Sequence, residues 1–425
     1  MKPYGRKVAI LGGARIPFAR QNTAYALRSN QDMLTAALKG VVDKFQLHGE
    51  RLGEVAAGAV LKHSRDFNLA RESTLSSGLS METPAYDLQQ ACGTSLETAI
   101  TIGSKIALGQ IESGIAGGVD TASDAPIGVS EGLRRILLEA NRAKTTGQRL
   151  AAFAKFRGKD LMPLIPGVSE PRTKMSMGQH TEIMAKEWKI PREEQDQLAL
   201  ESHQKAAKAY DDGFFADLIV PYAGLERDNN LRADSTMEKL AKLKPAFDKV
   251  NGTLTAANST PLTDGASAVL LASEDWAKAR GLKPLAYLSS YETAAVDFFE
   301  RKEGLLMAPS YAVPRMLARN GLKLQDFDFY EIHEAFAAQV LCTLKAWNDP
   351  KFCKERLGLD HTLGTIDRAK LNIHGSSLAL GHPFAATGGR ILATLAKIIA
   401  ANGGGRGLIS ICTAGGMGVT AIVEG

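Results

Sequence analysis

Cysteine is scarce in this chain. Cys92, Cys342, Cys353 and Cys412 are spread over 425 residues, and no two form a Cys-x-x-Cys pair. That spacing argues against a disulfide framework or a zinc cage, so no metal site is expected. Long apolar runs are lacking too: no segment reads as the roughly 18 apolar residues of a membrane span. Residues 1–7 lead into a short apolar strand and do not have the layout of a secretory signal. These absences make reducing cytoplasm the expected compartment. Net charge is only +5, but it is unevenly placed. From Arg134 to Lys174 there are ten Lys/Arg against three acids, a local +7 that exceeds the excess of the whole chain. Such a segment meets something anionic or forms a solvated face, and nucleic acid is not expected as the partner. With 44% hydrophobic and 23% charged residues, the chain reads as soluble, globular and long enough for two or three domains.

Read in order, Lys7 to Leu11 is a strand ended by Gly12-Gly13. Asp32 to Phe45 is an amphipathic helix with Met33, Leu34, Ala37, Leu38, Val41 and Val42 on one stripe. Strands at 55–60 and 85–88, a helix at 68–76, a helix from Ser95 to Leu108 and a buried strand at 114–119 complete an alternating pattern. That alternation implies α/β layers. From about 126 to 252 strand signals fade and charge rises, which suggests a helical insertion. Its clearest helix runs from Pro191 to Tyr210, with Glu193 and Glu194 in the first turn and Asp212-Gly213 at the end. Strand character resumes at 253–272 and rejoins the first unit. The order strand, reactive turn, helix, glycine break, buried strand occurs at 85–119 and again at 372–412, so an internal duplication is expected. The expected fold class is α/β: two similar layered halves, 1–125 (rejoined by 253–273) and 274–425, with an insertion domain at 126–252.

The centre of this plan is Gln89-Gln90-Ala91-Cys92-Gly93-Thr94-Ser95. It places Cys92 on a strand-to-helix turn, near a helix N-terminus. Gly93 is expected to let the backbone turn, and Thr94 or Ser95 to cap the helix. A helix terminus favours a thiolate, but only by about 0.3–1 kcal/mol, against about 1.4 kcal/mol per pKa unit. A thiol with a pKa of roughly 8.5 then stays mostly protonated, so a nucleophilic Cys92 needs a base from elsewhere. On its own, Cys92 reads better as a small buried apolar residue at a turn, and it takes the features below to reverse that.

The second half supplies complementary candidates. His382, fixed between Gly381 and Pro383, could take the Cys92 proton, or be a hydrogen-bonded structural histidine. Cys412 precedes Thr413-Ala414-Gly415-Gly416, a loop able to aim N–H groups at an oxyanion; alternatively it is a core cysteine ending a strand. His333 at a strand end could be a donor or a capping polar group.

Taken together, these residues resemble the thiolase family. Asn372-Ile373-His374-Gly375, Gly381-His382-Pro383, Ala386-Thr387-Gly388 and Cys412-Thr413-Ala414-Gly415-Gly416 match its C-terminal motifs in order. Asn258 to Ala266 matches its central motif, and Lys239 to Phe247 matches the segment before it. The similarity is greatest to the thiolase subunit of bacterial fatty-acid oxidation complexes and to the mitochondrial trifunctional β subunit. The His333-Glu334-Ala335-Phe336 run supports that branch, since most of the family has Asn at the His333 position. His374 and Ser376-Ser377 depart from the common Asn-Gly-Gly version of their turn, and His374 is given no catalytic role.

The resemblance implies a 3-ketoacyl-CoA thiolase. Cys92 would be the nucleophile, His382 its base and Cys412 the proton shuttle. Oxyanion donors would be the Cys92 and Ala414 N–H groups, and His382 with a water held by His333. No cofactor would be bound permanently, and coenzyme A would be co-substrate. Arg232 would approach its nucleotide, Met177 and Phe247 its adenine or pantetheine, and Thr260, with Ser259 beside it, a pantetheine amide. A homodimer or homotetramer, and a complex with a hydratase/dehydrogenase subunit, are the implied assemblies. The stretch 148–159 alternates basic residues with Leu150, Phe153 and Phe156. It could meet a membrane surface or a partner subunit, or pack as an ordinary amphipathic helix. A biosynthetic acetoacetyl-CoA enzyme, a decarboxylating condensing enzyme and a non-catalytic acyl-CoA-binding scaffold are the competing readings.

Overall fold

The computed structural model describes residues 5–425; the N-terminal reading of residues 1–4 lies outside the described residues. Ten strands are present among the described residues: β1 (Val8–Arg15), β2 (Ala19–Arg20), β3 (Glu54–Ala57), β4 (Ala85–Asp87), β5 (Ser113–Asp120), β6 (Thr263–Ser273), β7 (Ala286–Ala295), β8 (Phe329–Ile332), β9 (Arg406–Thr413) and β10 (Met417–Glu424). They join in the order β4-β3-β5-β6-β1-β7-β10-β9-β8, with β2 beside β6. The order has two arms of matching design. In one, β4, β3 and β5 are parallel, and β6 and β1 follow antiparallel. In the other, β8 and β9 are parallel, and β10 and β7 follow antiparallel. The arms meet only where Ala9 and Ile10 of β1 pair with Tyr287 and Ala286 of β7. This repeat is the expected duplication.

Several local expectations are corrected. Gly12-Gly13 does not end β1; the strand runs on to Arg15, with a register shift between Ile10 and Gly12. The strand expected from 253 begins only at Thr263, because the preceding residues bridge to the second half, Ser259 to Phe336 and Leu262 to His382. Strands β7 and β10, and the helix Ala337–Trp347, add to the elements expected from the sequence. Composition also needs a correction: Phe384–Ala401 is 18 residues long with mean hydropathy 1.3, enough by length to cross a membrane. It is 78% buried within the protein, as expected of a core helix between layers.

Two helices define the middle of the molecule, Thr94–Ala107 after Cys92 and Thr387–Ala401 after His382. The first buries Leu96, Ala99, Ile100, Ile102 and Ile106; the second buries Ile391, Leu392, Leu395, Ile398 and Ile399. Each such aliphatic side chain contributes about 1.5–3 kcal/mol when removed from water. The helices touch at their beginnings. Gly389 N–H donates to Ser95 Oγ at 2.7 Å. A Cβ on Gly388 would lie 2.5 Å from the Leu96 nitrogen, so only glycine permits the approach. Two helix starts from opposite halves, held side by side, bring the two reactive turns together.

Between β5 and β6 the described chain is helical, with Glu131–Arg142, Thr146–Phe153, Met177–Glu187, Arg192–Asp211 and Met237–Ala241 and no strand in that interval. Ser202, from the longest of these helices, receives the Ser376 N–H and donates to Glu334, which ties the insertion to the second half.

Candidate active site

Cys92 lies two residues before the Thr94–Ala107 helix, on a turn whose strain sits at Ala91, with φ +46°. An alanine in the left-handed region costs about 1–3 kcal/mol and persists only where its surroundings impose it. Gly93, by contrast, has an ordinary φ of −86°. Its lack of a side chain matters because a Cβ would meet Val419 Cγ1 at 2.7 Å. Thr94 and Ser95 do not cap the helix. The Thr94 hydroxyl accepts from Gln90 N–H and donates to the Ala91 carbonyl, pinning the turn, while Ser95 receives Gly389 N–H.

His382 Nε2 stands 3.2 Å from Cys92 Sγ. On the far side of its ring, Nδ1 is 2.6 Å from Thr387 Oγ1, and its backbone N–H donates to Thr263 Oγ1 at 2.8 Å. The His382 turn is also held by Asp120 at the end of β5. Its carboxylate receives the N–H groups of Ala385, Val60 and Leu61, so the two halves share one buried acid. Burial pushes Asp120 up to about 7, against the pull of those donors. The His333 ring lies 4.2 Å from the His382 ring, and its Nδ1 is 2.8 Å from Ser377 Oγ. His333 Nε2 is buried and has no partner within the protein. The reactive atoms of Cys92, His333 and His382 all lie within 4.8 Å of one another.

Cys412 is buried in β9 opposite Gly418, with Cys92 close enough to raise its thiol. Burial, and then Cys92, push the Cys412 thiol well above its ordinary range. The N–H groups of Ala414 and of Cys92 itself point at Cys92 Sγ. They are outweighed: burial pushes Cys92 up to about 12, and the carboxylates of Asp120 and Glu170 push the same way. The neutral thiol expected from so weak a helix-terminus effect is therefore the resting form, and burial holds it there more firmly. Burial, followed by the Arg390 charge, lowers His382 to about 3. His333 falls well below its ordinary value through burial, His382 and Arg390. At neutral pH the site is a cluster of uncharged thiols and imidazoles. It can pass a proton from sulfur to imidazole as a bond forms, beside the two N–H groups at Cys92 Sγ.

The insertion reaches this centre through Glu170, whose Oε1 receives the Gly415 N–H at 2.6 Å. Sequence reasoning missed Glu170; the only signal was its place among three acids in a basic segment. It also missed Asp120. Of the remaining candidates, Thr260 donates N–H and Oγ1 to the Ala335 carbonyl, and Ser259 Oγ is buried without a partner. Phe247 packs edge-on against Phe336, and it and Met177 border the same apolar cluster as Cys412. Arg232 is exposed, with its guanidinium donating to the carbonyls of Asn229 and Leu231. His374 stacks on Phe214, with ring centres 3.8 Å apart.

A duplicated α/β fold with two thiols and two neutral imidazoles at the junction of its halves defines a class: enzymes that transfer acyl groups through a cysteine. Comparison with known proteins narrows it. The family models for the thiolase N-terminal and C-terminal domains match residues 8–275 and 282–425. Curated relatives include the 3-ketoacyl-CoA thiolases of Shewanella baltica, 44% identical, and Shewanella loihica, 43% identical, each matched over 99% of this chain and 97% of its own length. Among solved structures, Bacillus anthracis acetyl-CoA acetyltransferase superposes with a TM-score of 0.81 at 30% identity over all of both chains. A human mitochondrial 3-ketoacyl-CoA thiolase in complex with CoA does so at 0.80 and 29%, over 99% of this chain and 98% of its own. The chain belongs to the thiolase family, and it is an acyltransferase.

Proposed function

We propose that this chain cleaves 3-oxoacyl-CoA with coenzyme A as co-substrate, giving acetyl-CoA and an acyl-CoA two carbons shorter, in fatty-acid degradation. The carrying observation is the 3.2 Å approach of His382 Nε2 to Cys92 Sγ across the junction of the halves. His382 takes the Cys92 proton as Sγ attacks the 3-keto carbon. The C2–C3 bond breaks, the acyl group stays on Cys92 as a thioester, and Cys412 gives its proton to C2 of the departing acetyl-CoA enolate. Coenzyme A then loses its thiol proton to Cys412, and its sulfur takes the acyl group. The released Cys92 sulfur regains its proton from His382. The Cys92 and Ala414 N–H groups, and a water on His333, receive the developing oxyanions.

We assign CoA to the face of the insertion domain, 126–252, with Arg232 at the nucleotide, Met177 and Phe247 at its adenine or pantetheine, and Ser259 and Thr260 at the pantetheine amides. The neighbour solved with CoA supports this choice of ligand. A cytoplasmic homo-oligomer is the expected form, in keeping with four free thiols and with β4 at the open edge of the sheet. Leu150, Phe153 and Phe156 are exposed on the insertion, which supports a contact with a hydratase/dehydrogenase subunit or a membrane surface.

Cys92→Ala is expected to abolish thiolysis, and Cys412→Ala to leave only a trace. Activity measured across 3-oxoacyl-CoA lengths tests the degradative role. Turnover of medium and long chains is expected; turnover of acetoacetyl-CoA alone would favour the biosynthetic reading, which the similarity to the Bacillus anthracis enzyme keeps in view.

A further inference from the structure

Behind His333 lies a buried cation that the reaction does not itself require. Arg390 is 1% exposed, in the helix that follows His382. Its Nη2 donates to Ser376 Oγ at 3.1 Å and to Ser377 Oγ at 3.0 Å. Ser377 Oγ in turn lies 2.8 Å from His333 Nδ1. These are the only partners of the Ser377 hydroxyl among the described residues.

Counting hydrogens fixes the direction of the chain. A guanidinium only donates, so Ser377 accepts from Arg390 and must place its own hydrogen elsewhere. The sole acceptor in reach is His333 Nδ1. Were Nδ1 protonated, the serine hydrogen would be buried with no acceptor, a penalty on the order of 10- to 100-fold in the tautomer ratio. The single imidazole hydrogen therefore sits on Nε2, the atom that is buried, unpartnered and beside His382. His382 is set the other way: Cys92 S–H needs a bare Nε2, which leaves the hydrogen on Nδ1, facing Thr387 Oγ1 at 2.6 Å.

We propose that Arg390 and Ser377 are positioning residues that lock His333 in the Nε2–H tautomer, so that two adjacent imidazoles hold opposite duties, one a base and the other a fixed donor. With the lock reversed, His333 would turn a lone pair toward the developing oxyanion and compete with His382 for the Cys92 proton. The inference rests on the proposed role of His333, whose Nε2 holds the water that meets the developing oxyanion. It also gives the Ser376-Ser377 departure a purpose: an asparagine at position 333 carries amide hydrogens in any state and needs no such device.

The test is carried first by the wild-type protein labelled with ¹⁵N-histidine. His333 is expected to report a protonated Nε2 and a bare Nδ1; a protonated Nδ1 overturns the lock whatever any variant does. Ser377→Ala is expected to lower kcat by about 10-fold or more, within the ~10²–10³ of a lost oxyanion donor, with KM changed less than about 2-fold. In a His333→Asn background the same Ser377→Ala change is expected to cost less than about 2-fold. Equal losses in both backgrounds would mean that Ser377 acts by packing alone and would overturn the proposal. Full activity in His333→Ala would instead remove the donor role on which it rests.

Discussion

The least intuitive consequence of the site is that its nucleophile rests as a neutral thiol. Burial raises Cys92 from an ordinary 9.0 to about 12, roughly three units or ~4 kcal/mol against the thiolate. His382, at about 3, is equally reluctant to become charged. Moving the proton between them in isolation works against both shifts, since burial disfavours each charged form. The attraction of the resulting ion pair at 3.2 Å returns only ~5 kcal/mol at an effective dielectric near 20. The neutral pair is the resting state. A cysteine is anionic only above its pKa, so at pH 8 about one sulfur in ten thousand should be ionised, where a free thiol would be about one-tenth ionised. The assay is thiolate ultraviolet absorbance of the wild type minus that of Cys92→Ala, titrated from pH 5 to 10 without substrate. A flat difference is expected. One thiolate per chain at pH 7 would refute the reasoning and return the site to a preformed ion pair. Ionisation then belongs to the acylation step, so His382→Ala should slow acylation by about 10²–10⁴.

Two further substitutions probe how the halves are held. Gly388→Ala places a Cβ 2.5 Å from Leu96 N and forces the two central helices apart. A loss of about 1–3 kcal/mol in urea unfolding is expected, with a fall in thiolysis; unchanged values for both would mean that the contact does not position Cys92 against His382. Glu170→Gln keeps the shape but gives Gly415 N–H a neutral acceptor, at a cost of about 1 kcal/mol, or 5- to 10-fold in kcat. An unaltered kcat would free the oxyanion loop from dependence on the insertion.

Much of this site could be read from the sequence because turn chemistry is local. Gly381-His382-Pro383 and the Cys92 turn announce themselves by residues that constrain their own backbone, and the periodic apolar stripes after them mark the helices. What could not be read depends on partners distant in the chain. Gly93 looked like a turn-maker, yet its purpose is to clear Val419, more than 300 positions away. Thr94 and Ser95 looked like caps, but one pins Ala91 and the other receives Gly389 from the second half. β7 and β10 gave little signal because each is patterned by the sheet neighbours it joins, β7 with an alternating half-buried face and β10 buried almost throughout. The turn alone predicts a mostly protonated thiol, but not how far burial raises it. A helix start argues for a thiolate, but the depth of Cys92 reverses the sign, since a dipole worth under 1 kcal/mol cannot offset burial worth about four. Depth is set by how closely the duplicated halves meet, a property of neither half alone. The same closeness that suppresses the charge also supplies the base, so the nucleophile can be inert at rest and still become reactive when a carbonyl arrives.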